Sequence, residues 1–240
     1  MELLKELARR YETASFINGD PSWFMHQVEG RNNQEALAFI ASCLSYGSRK
    51  QFFPKIQYVF DCSGGSVYDW VRSGDFRRDI PDTEECYYRL YTCSMMNRFL
   101  QAYRELMNEH DSLGEYLREG GVGDAFRAVE MITSYFASKG IEVIVPKDTK
   151  SSCKRICMFL RWMVRDNSPV DLGLWTFIDK RTLIMPLDTH VLQEACSMRL
   201  LQSKSASMAA AKKLTAEMAA VFPDDPLKGD FALFGYGVDK

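Results

Sequence analysis

The sequence predicts an all-α protein. Apolar residues recur at helical spacing over most of the chain, no alternation of apolar and polar residues recurs well enough to build a sheet, and no internal repeat is evident. A length of 240 residues with 46% hydrophobic content is ample for a buried core. The longest apolar runs are too short to cross a bilayer, and the start, Met1-Glu2-Leu3-Leu4-Lys5-Glu6-Leu7, lacks the apolar stretch of a signal peptide. The expected compartment is therefore the cytoplasm, with no membrane partner.

Taken in order, the first helix is expected to run to about Thr13 and to bury Leu3, Leu4 and Leu7, before a turn at Ile17-Asn18-Gly19-Asp20-Pro21. Residues 33–46 form an apolar helix with Ala36, Leu37, Ile40, Ala41 and Leu44 at core spacing. A polar loop, Gly47-Ser48-Arg49-Lys50-Gln51, separates it from a helix over 52–60. Residues 63–82 are turn-rich, with a short helix over 67–71 that carries Trp70. Residues 84–108 read as one or two helices in which Tyr87, Tyr91 and Phe99 are core. Helices over 112–117 and 124–138 follow, separated by the turn Gly120-Gly121-Val122-Gly123, and 141–145 is a brief extended segment. Beyond the central stretch, 205–222 is an Ala-rich helix, 223–226 breaks it, and 228–234 opens a last one.

The central stretch from Lys147 to Val191 carries the chemistry. Ser151 or Ser152 is placed to cap a helix over 153–164, because a serine hydroxyl satisfies an amide left unpaired at a helix start. Ile156, Phe159, Leu160 and Met163 share its apolar face, while Lys154, Met158, Arg161 and Arg165 fall opposite. That second face reads either as a solvated basic stripe or as a binding surface. An irregular link over 166–175 follows, flanked by Trp162 and Trp175, each of which is either core or a stacking platform. Pro186 then closes a short apolar segment, and Asp188 is the N-cap of a helix over 189–201. A lysine at one helix start and an aspartate at another are the two groups that an amine nucleophile requires. His190, with only His26 and His110 elsewhere, has no metal-ligand spacing and reads as structural.

A formal charge of -2 argues against a general nucleic-acid binder, so DNA affinity needs a local patch. Residues 147–165 supply one: Lys147, Lys150, Lys154, Arg155, Arg161 and Arg165 face only Asp148, a local +5 that leaves -7 for the rest of the chain. Seven cysteines lie scattered without the two-residue spacing of zinc or redox motifs and are expected to be free buried thiols. None follows Cys196, so no iron-sulfur cluster, and no other cofactor or metal, is expected.

Leu187-Asp188-Thr189-His190-Val191 resembles the Val-Asp-Thr-His-Val type segment of the helix-hairpin-helix DNA glycosylase superfamily, which includes endonuclease III and the 8-oxoguanine glycosylases. Together with Lys154-Arg155, Phe159-Leu160-Arg161-Trp162-Met163-Val164-Arg165, Val170-Asp171-Leu172-Gly173-Leu174-Trp175 and Asp230-Phe231-Ala232-Leu233-Phe234-Gly235, it looks like an uncharacterised bacterial family within that superfamily, and the likeness covers most of the chain. The resemblance implies one unit over 1–240 built as two helical lobes: 32–200 with the hairpin region, and 1–31 together with 201–240. It departs from the superfamily at Pro146-Lys147-Asp148-Thr149-Lys150-Ser151-Ser152, where the hairpin glycines are missing. The long interval from Lys154 to Asp188 is similar to that of the archaeal 8-oxoguanine glycosylases.

What the resemblance implies is a bifunctional glycosylase and abasic-site lyase acting as a monomer on damaged double-stranded DNA at the nucleoid. Lys154 matches the lysine that attacks C1′ of the damaged nucleotide, and Asp188 matches the aspartate that assists departure of the base. A helix start disfavours an ammonium, and amides at another helix start favour a carboxylate. DNA contacts are expected from Lys147, Lys150, Ser151, Ser152, Arg155, Arg161 and Arg165. Gln51 or Arg49 is the side chain that would fill the gap left by a flipped base, with Lys50 on phosphate. Trp162, Trp175, Asp230 and Phe231 would line the base pocket. The alternative is a catalytically inactive DNA-binding or adaptor protein, which the missing glycines and the acidic balance favour.

Overall fold

The computed structural model describes residues 1–203 and 205–239. Among them the architecture is all-α, with one short two-stranded ribbon and no helix long and apolar enough to cross a membrane. The chain divides into two compact units: Met1–Asn18 with Val122–Glu130 and Asp148–Lys240, and Gly19–Gly121 with Met131–Lys147. These boundaries fall at other places than the expected grouping of 1–31 with 201–240.

The helices are, in order, α1 (Glu2–Tyr11), α2 (Arg31–Leu44), α3 (Arg49–Cys62), α4 (Val67–Ser73), α5 (Phe76–Asp79), α6 (Cys93–His110), α7 (Leu113–Glu119), α8 (Ala125–Ser138), α9 (Lys154–Val164), α10 (Thr189–Ser197), α11 (Met208–Val221) and α12 (Lys228–Val238). Strands β1 (Cys86–Tyr88) and β2 (Tyr91–Thr92) pair antiparallel just before α6. The ribbon replaces the start of the helix expected from residue 84. Residues 141–145 are turns rather than an extended segment.

In the unit containing Gly19–Gly121, α2 is the central element, with every side chain from Glu35 to Leu44 buried. It packs on α3, α4 and the 3-10 turn Pro21–His26. Phe39 on α2 meets Tyr103 at 4.9 Å, Phe136 at 5.4 Å and Phe99 at 5.8 Å between ring centroids, tilted and edge-on as aromatic quadrupoles prefer. Glu35 is the one acid buried in α2. Its Oε1 accepts from the amides of Leu113 at 2.8 Å and Gly114 at 3.2 Å, so it satisfies the donors that α7 leaves open at its start.

In the other unit, α12 packs against α1 and α10. Gly235 permits the closest approach, because a Cβ there would overlap the Tyr11 ring. Leu4, Leu7 and Ala8 are the buried residues of α1, whereas Leu3, expected in the core, is 53% exposed. The amphipathic stripe is narrower than three leucines suggest, and Ala8 occupies the inner face instead. After α9 the chain turns back on itself: the amides of Leu172 and Trp175 donate to the carbonyls of Trp162 at 2.8 Å and Met163 at 2.7 Å. Those bonds satisfy carbonyls that the end of α9 leaves without partners and hold the link 166–175 alongside the helix. Gly173, at φ +61°, makes the bend, and a side chain there would press on the backbone of Asp166.

Candidate functional site

Two helix starts meet in the unit that holds α9 and α10. Asp188 caps α10 as expected, its Oδ1 accepting from the Val191 amide at 2.8 Å. The start of α9 differs from expectation, since neither Ser151 nor Ser152 caps it. Cys153 occupies the cap position in the left-handed region at φ +48°, with no side-chain cap. The buried Ser152 hydroxyl instead donates to the carbonyl of Leu187 at 3.2 Å, and so ties the approach to α9 directly to the residue before Asp188.

That tie brings the two chemical groups together. Lys154 Nζ lies 3.3 Å from Asp188 Oδ2, the lysine side chain 35% and the aspartate 12% exposed. The amine is thus accessible while paired, and the carboxylate's other oxygen is held by its own helix. An exposed ion pair of this kind is worth about 0–1 kcal/mol, so stability alone is a weak reason for the arrangement.

Arg161 and Arg165 do not form an exposed basic face. Both are buried, because the turns of α9 beyond Lys154 are enclosed on both sides and the second face packs against carboxylates from distant parts of the chain. Arg161 Nε donates to Asp171 at 3.2 Å, and its Nη1 pairs with Asp230. Arg165 holds Asp225 through Nε at 2.9 Å and Nη2 at 2.7 Å, Glu12 through Nη2 at 2.6 Å, and Asp171 through Nη1. Phe231 lies beneath both guanidiniums, its ring centroid 4.5 Å from Arg161 Cζ and 5.1 Å from Arg165 Cζ.

The cluster therefore sets two guanidiniums against four carboxylates, an excess of negative charge in a buried place. Its effect is felt at Asp230. Burial pushes that carboxyl up to about 6 despite the opposing pull of Arg161, and the charges of Asp188 and Asp171 add to the rise. Arg165 is also raised, with the opposite consequence for charge: burial alone would favour loss of its charge, but Asp225, Asp171 and Glu12 more than compensate and hold it firmly cationic.

The other expected site residues are more dispersed. Trp162 is fully buried with its Nε1 unpartnered, and Trp175 is buried edge-on to Phe159 at 5.2 Å, so neither offers a face to an incoming base. Phe231 and Asp230 are likewise enclosed, acting on Arg161 and Arg165 rather than lining an open pocket. Lys147 and Lys150 are exposed, as is Ser151, whose backbone bridges to Ser207; Arg155 is half-buried. Ser152, expected to meet phosphate, is committed to Leu187. In the other unit, Arg49, Lys50 and Gln51 form the exposed first turn of α3 rather than a loop, with Arg49 3.8 Å from Asp20. His190 is exposed, its ring edge-on to Phe234 at 6.5 Å.

The cysteines are free, but of the expected buried thiols only Cys43, Cys153 and Cys157 are buried; Cys62, Cys93 and Cys196 are partly exposed and Cys86 is exposed. Burial pushes the Cys153 thiol up, so its place beside Lys154 does not activate it. Sequence reasoning missed Glu12, Asp171 and Asp225 as partners of the α9 arginines. Only the recurrence of arginine at 161 and 165 on the Lys154 face offered a signal, and that spacing also suits a solvated stripe.

Fold and site thus define an all-α protein with a paired amine and carboxylate at two adjoining helix starts, backed by a buried ladder of arginines and acids. The chain belongs to the family described as Protein of unknown function (DUF2400), which matches residues 20–239. This corrects the expected membership of the helix-hairpin-helix glycosylase superfamily, since no glycosylase family matches. The physical counterpart lies between α8 and α9, where residues 139–153 form an irregular connection of turns in place of a hairpin. Comparison with the curated proteins and with the solved structures finds no match to the chain.

Proposed function

We propose that this protein is a lysine-dependent base-excision enzyme, a DNA N-glycosylase with abasic-site lyase activity that acts on a damaged nucleotide, such as an oxidised purine, in double-stranded DNA. The observation that carries the reading is the 3.3 Å approach of Lys154 Nζ to Asp188 Oδ2 at a partly exposed position. In the reaction, the Lys154 amine bonds to C1′ as the N-glycosidic bond breaks, and the electron pair leaves with the base, which takes up a proton. Asp188 faces the amine, accepts the proton it must lose, and stabilises the positive charge that develops on the sugar. Opening of the sugar ring leaves an imine between Nζ and C1′. Removal of a C2′ proton then expels the 3′ phosphate, and water releases the lysine.

Lys150 and Arg155, on the approach to Lys154 and beside it, supply charge for the phosphates flanking such a nucleotide. With Arg161 and Arg165 turned inward, this surface is smaller than the charge pattern of the sequence implies, and binding is expected to weaken steeply with salt only to the extent of a few phosphate contacts. An enzyme of this kind works at the nucleoid.

Strand scission provides the test. Wild-type protein is expected to nick a duplex holding a single abasic site, with Lys154→Ala and Asp188→Asn at least about 100-fold slower, the scale at which loss of a nucleophile or its proton acceptor is felt. Equal nicking by all three proteins, or none by folded wild type, contradicts the reading. Binding of the duplex without nicking would favour a DNA-binding module instead.

A further inference from the structure

The turn between α4 and α5 brings two arginines to one glycine. Gly74 closes α4 in the left-handed region at φ +90°, its amide donating to the Val71 carbonyl at 3.1 Å. Arg77 from α5 and Arg104 from α6 meet over it: a Cβ on Gly74 would stand 2.5 Å from Arg77 Nη1 and 3.3 Å from Arg104 Nε. Each guanidinium is anchored. Arg104 Nε donates to the Arg72 carbonyl at 3.0 Å, while Arg77 Nη2 donates to Gln101 and its Cζ lies 5.3 Å from the centroid of the buried Phe76 ring. Like charges held this close repel, and a carboxylate between them would relieve the repulsion. Among the described residues neither arginine forms an ion pair, although Arg72 and Arg78 beside them hold Asp111 at 3.1 Å and Asp79 at 3.4 Å. The acids neighbouring them in sequence are engaged elsewhere: Asp75 accepts from the Ser73 hydroxyl at 2.9 Å, Asp79 from Trp70 Nε1 at 2.8 Å, and Glu105 from Lys139 Nζ at 2.8 Å and Gln101 Nε2 at 2.9 Å.

We infer that Arg77 and Arg104 form an anion site over Gly74 that takes a phosphate group. Both terminal nitrogens of Arg104, and Nη1 of Arg77, make no hydrogen bond among the described residues, so donors from two guanidiniums serve one ligand. The oxygens of a phosphate are arranged tetrahedrally and accept from two separately anchored guanidiniums at once, whereas a carboxylate is filled by a single bidentate fork. Gly74 lets such a group approach the backbone where a side chain would stand in its way. Arg77 is exposed and Arg104 half-buried, so the site opens at the surface while its inner cation is partly shielded from water, where attraction to an anion is stronger than between fully solvated charges. All of these residues belong to the unit of Gly19–Gly121, and the site calls on neither Lys154 nor Asp188. The phosphate belongs either to a free ion or monoester or to a nucleic-acid backbone; the recognition chemistry is shared, and the two sources are separated below.

Full-length protein at low ionic strength is titrated with inorganic phosphate in a calorimeter, beside Arg77→Gln, Arg104→Gln and, as a control, Arg118→Gln, whose exposed side chain pairs with Glu115. Wild type and the control are expected to bind phosphate in the millimolar range, and each site variant at least about tenfold more weakly. Arg77→Lys, which keeps the charge and loses the fork, should fall between them. The source of the phosphate is read from an undamaged duplex. If the backbone of DNA occupies the site, the slope of log binding constant against log salt is shallower by about 0.9 in Arg77→Gln than in wild type. If a free phosphate does, the two proteins bind the duplex alike while still differing towards inorganic phosphate; either result supports the site. Arg77 is exposed and without an ion pair, so Arg77→Gln decides the matter even where Arg104→Gln, which loses its bond to α4, fails to fold. No phosphate binding by wild type, or binding undiminished in folded Arg77→Gln, overturns the inference.

Discussion

The two most deeply buried helices of the molecule, α2 and α9, solve the same problem in opposite ways. From Glu35 to Leu44, α2 is sheathed in apolar and aromatic side chains, and its single buried acid closes the start of α7 through two amides. From Ile156 to Val164, α9 is buried at every position but Met158, yet one side of it and of Arg165 beyond is ionic, with guanidiniums matched to acids from four separate segments. Apolar burial of the α2 kind stabilises a fold without further explanation. Buried ion pairs contribute little on balance, because desolvation offsets most of the attraction, while loss of one partner leaves a stranded charge. The difference shows where the chain tolerates an electrostatic arrangement that packing alone would not select, and that place adjoins Lys154 and Asp188.

Three changes probe the contrast, beginning with the largest. Arg165→Ala strands Asp225 and Glu12 and leaves Asp171 to Arg161 alone, and is expected to lower the unfolding free energy by about 3–5 kcal/mol in chemical denaturation. A loss below about 1 kcal/mol would mean that water already screens the ladder.

Next in size is a pH effect. Asp230 holds its proton more tightly folded than unfolded, about 6 against 3.8, so its contribution to stability is present in full below about pH 4 and is lost as pH rises through about 6. The unfolding free energy of wild type minus that of Asp230→Asn should therefore fall by about 2 kcal/mol from about pH 4 to about pH 7. The near-exposed carboxyls that Lys180 and Arg181 hold low, Asp166 and Asp179, act in the opposite sense and only on further acidification, and they cancel in this difference.

Smallest is Lys154→Ala, which removes a partly exposed pair and should change stability by less than about 1 kcal/mol. A loss of several kcal/mol there would make Lys154 another structural rung, and would remove the contrast between a working pair and its buried support.

How much of this was legible beforehand follows from sequence separation. The helix of Lys154 and the capping role of Asp188 are local, written in apolar spacing and in Pro186-Leu187-Asp188-Thr189, and both are found. Burial of Arg161 and Arg165 is not local: Asp171 is 10 residues from Arg161 but Asp230 is 69 away, and Arg165 reaches Asp225 across 60 residues and Glu12 across 153. A basic stripe and an ionic ladder have the same pattern until those acids are placed. The β1–β2 ribbon escaped for another reason, because strands of three and two residues are too short to show alternation among Tyr87, Tyr88 and Tyr91. The short motif around Asp188-Thr189-His190 marks a helix start but does not identify the family, since three residues at a helix start are set by capping as readily as by descent.

The central claim is that Lys154 acts as a nucleophilic amine, and borohydride trapping on a duplex with one abasic site tests it most directly. The account predicts a covalent protein–DNA adduct whose mass maps to the peptide bearing Lys154 and which Lys154→Ala does not form. An adduct mapped to another lysine, or no adduct from folded protein that binds the duplex, would contradict it.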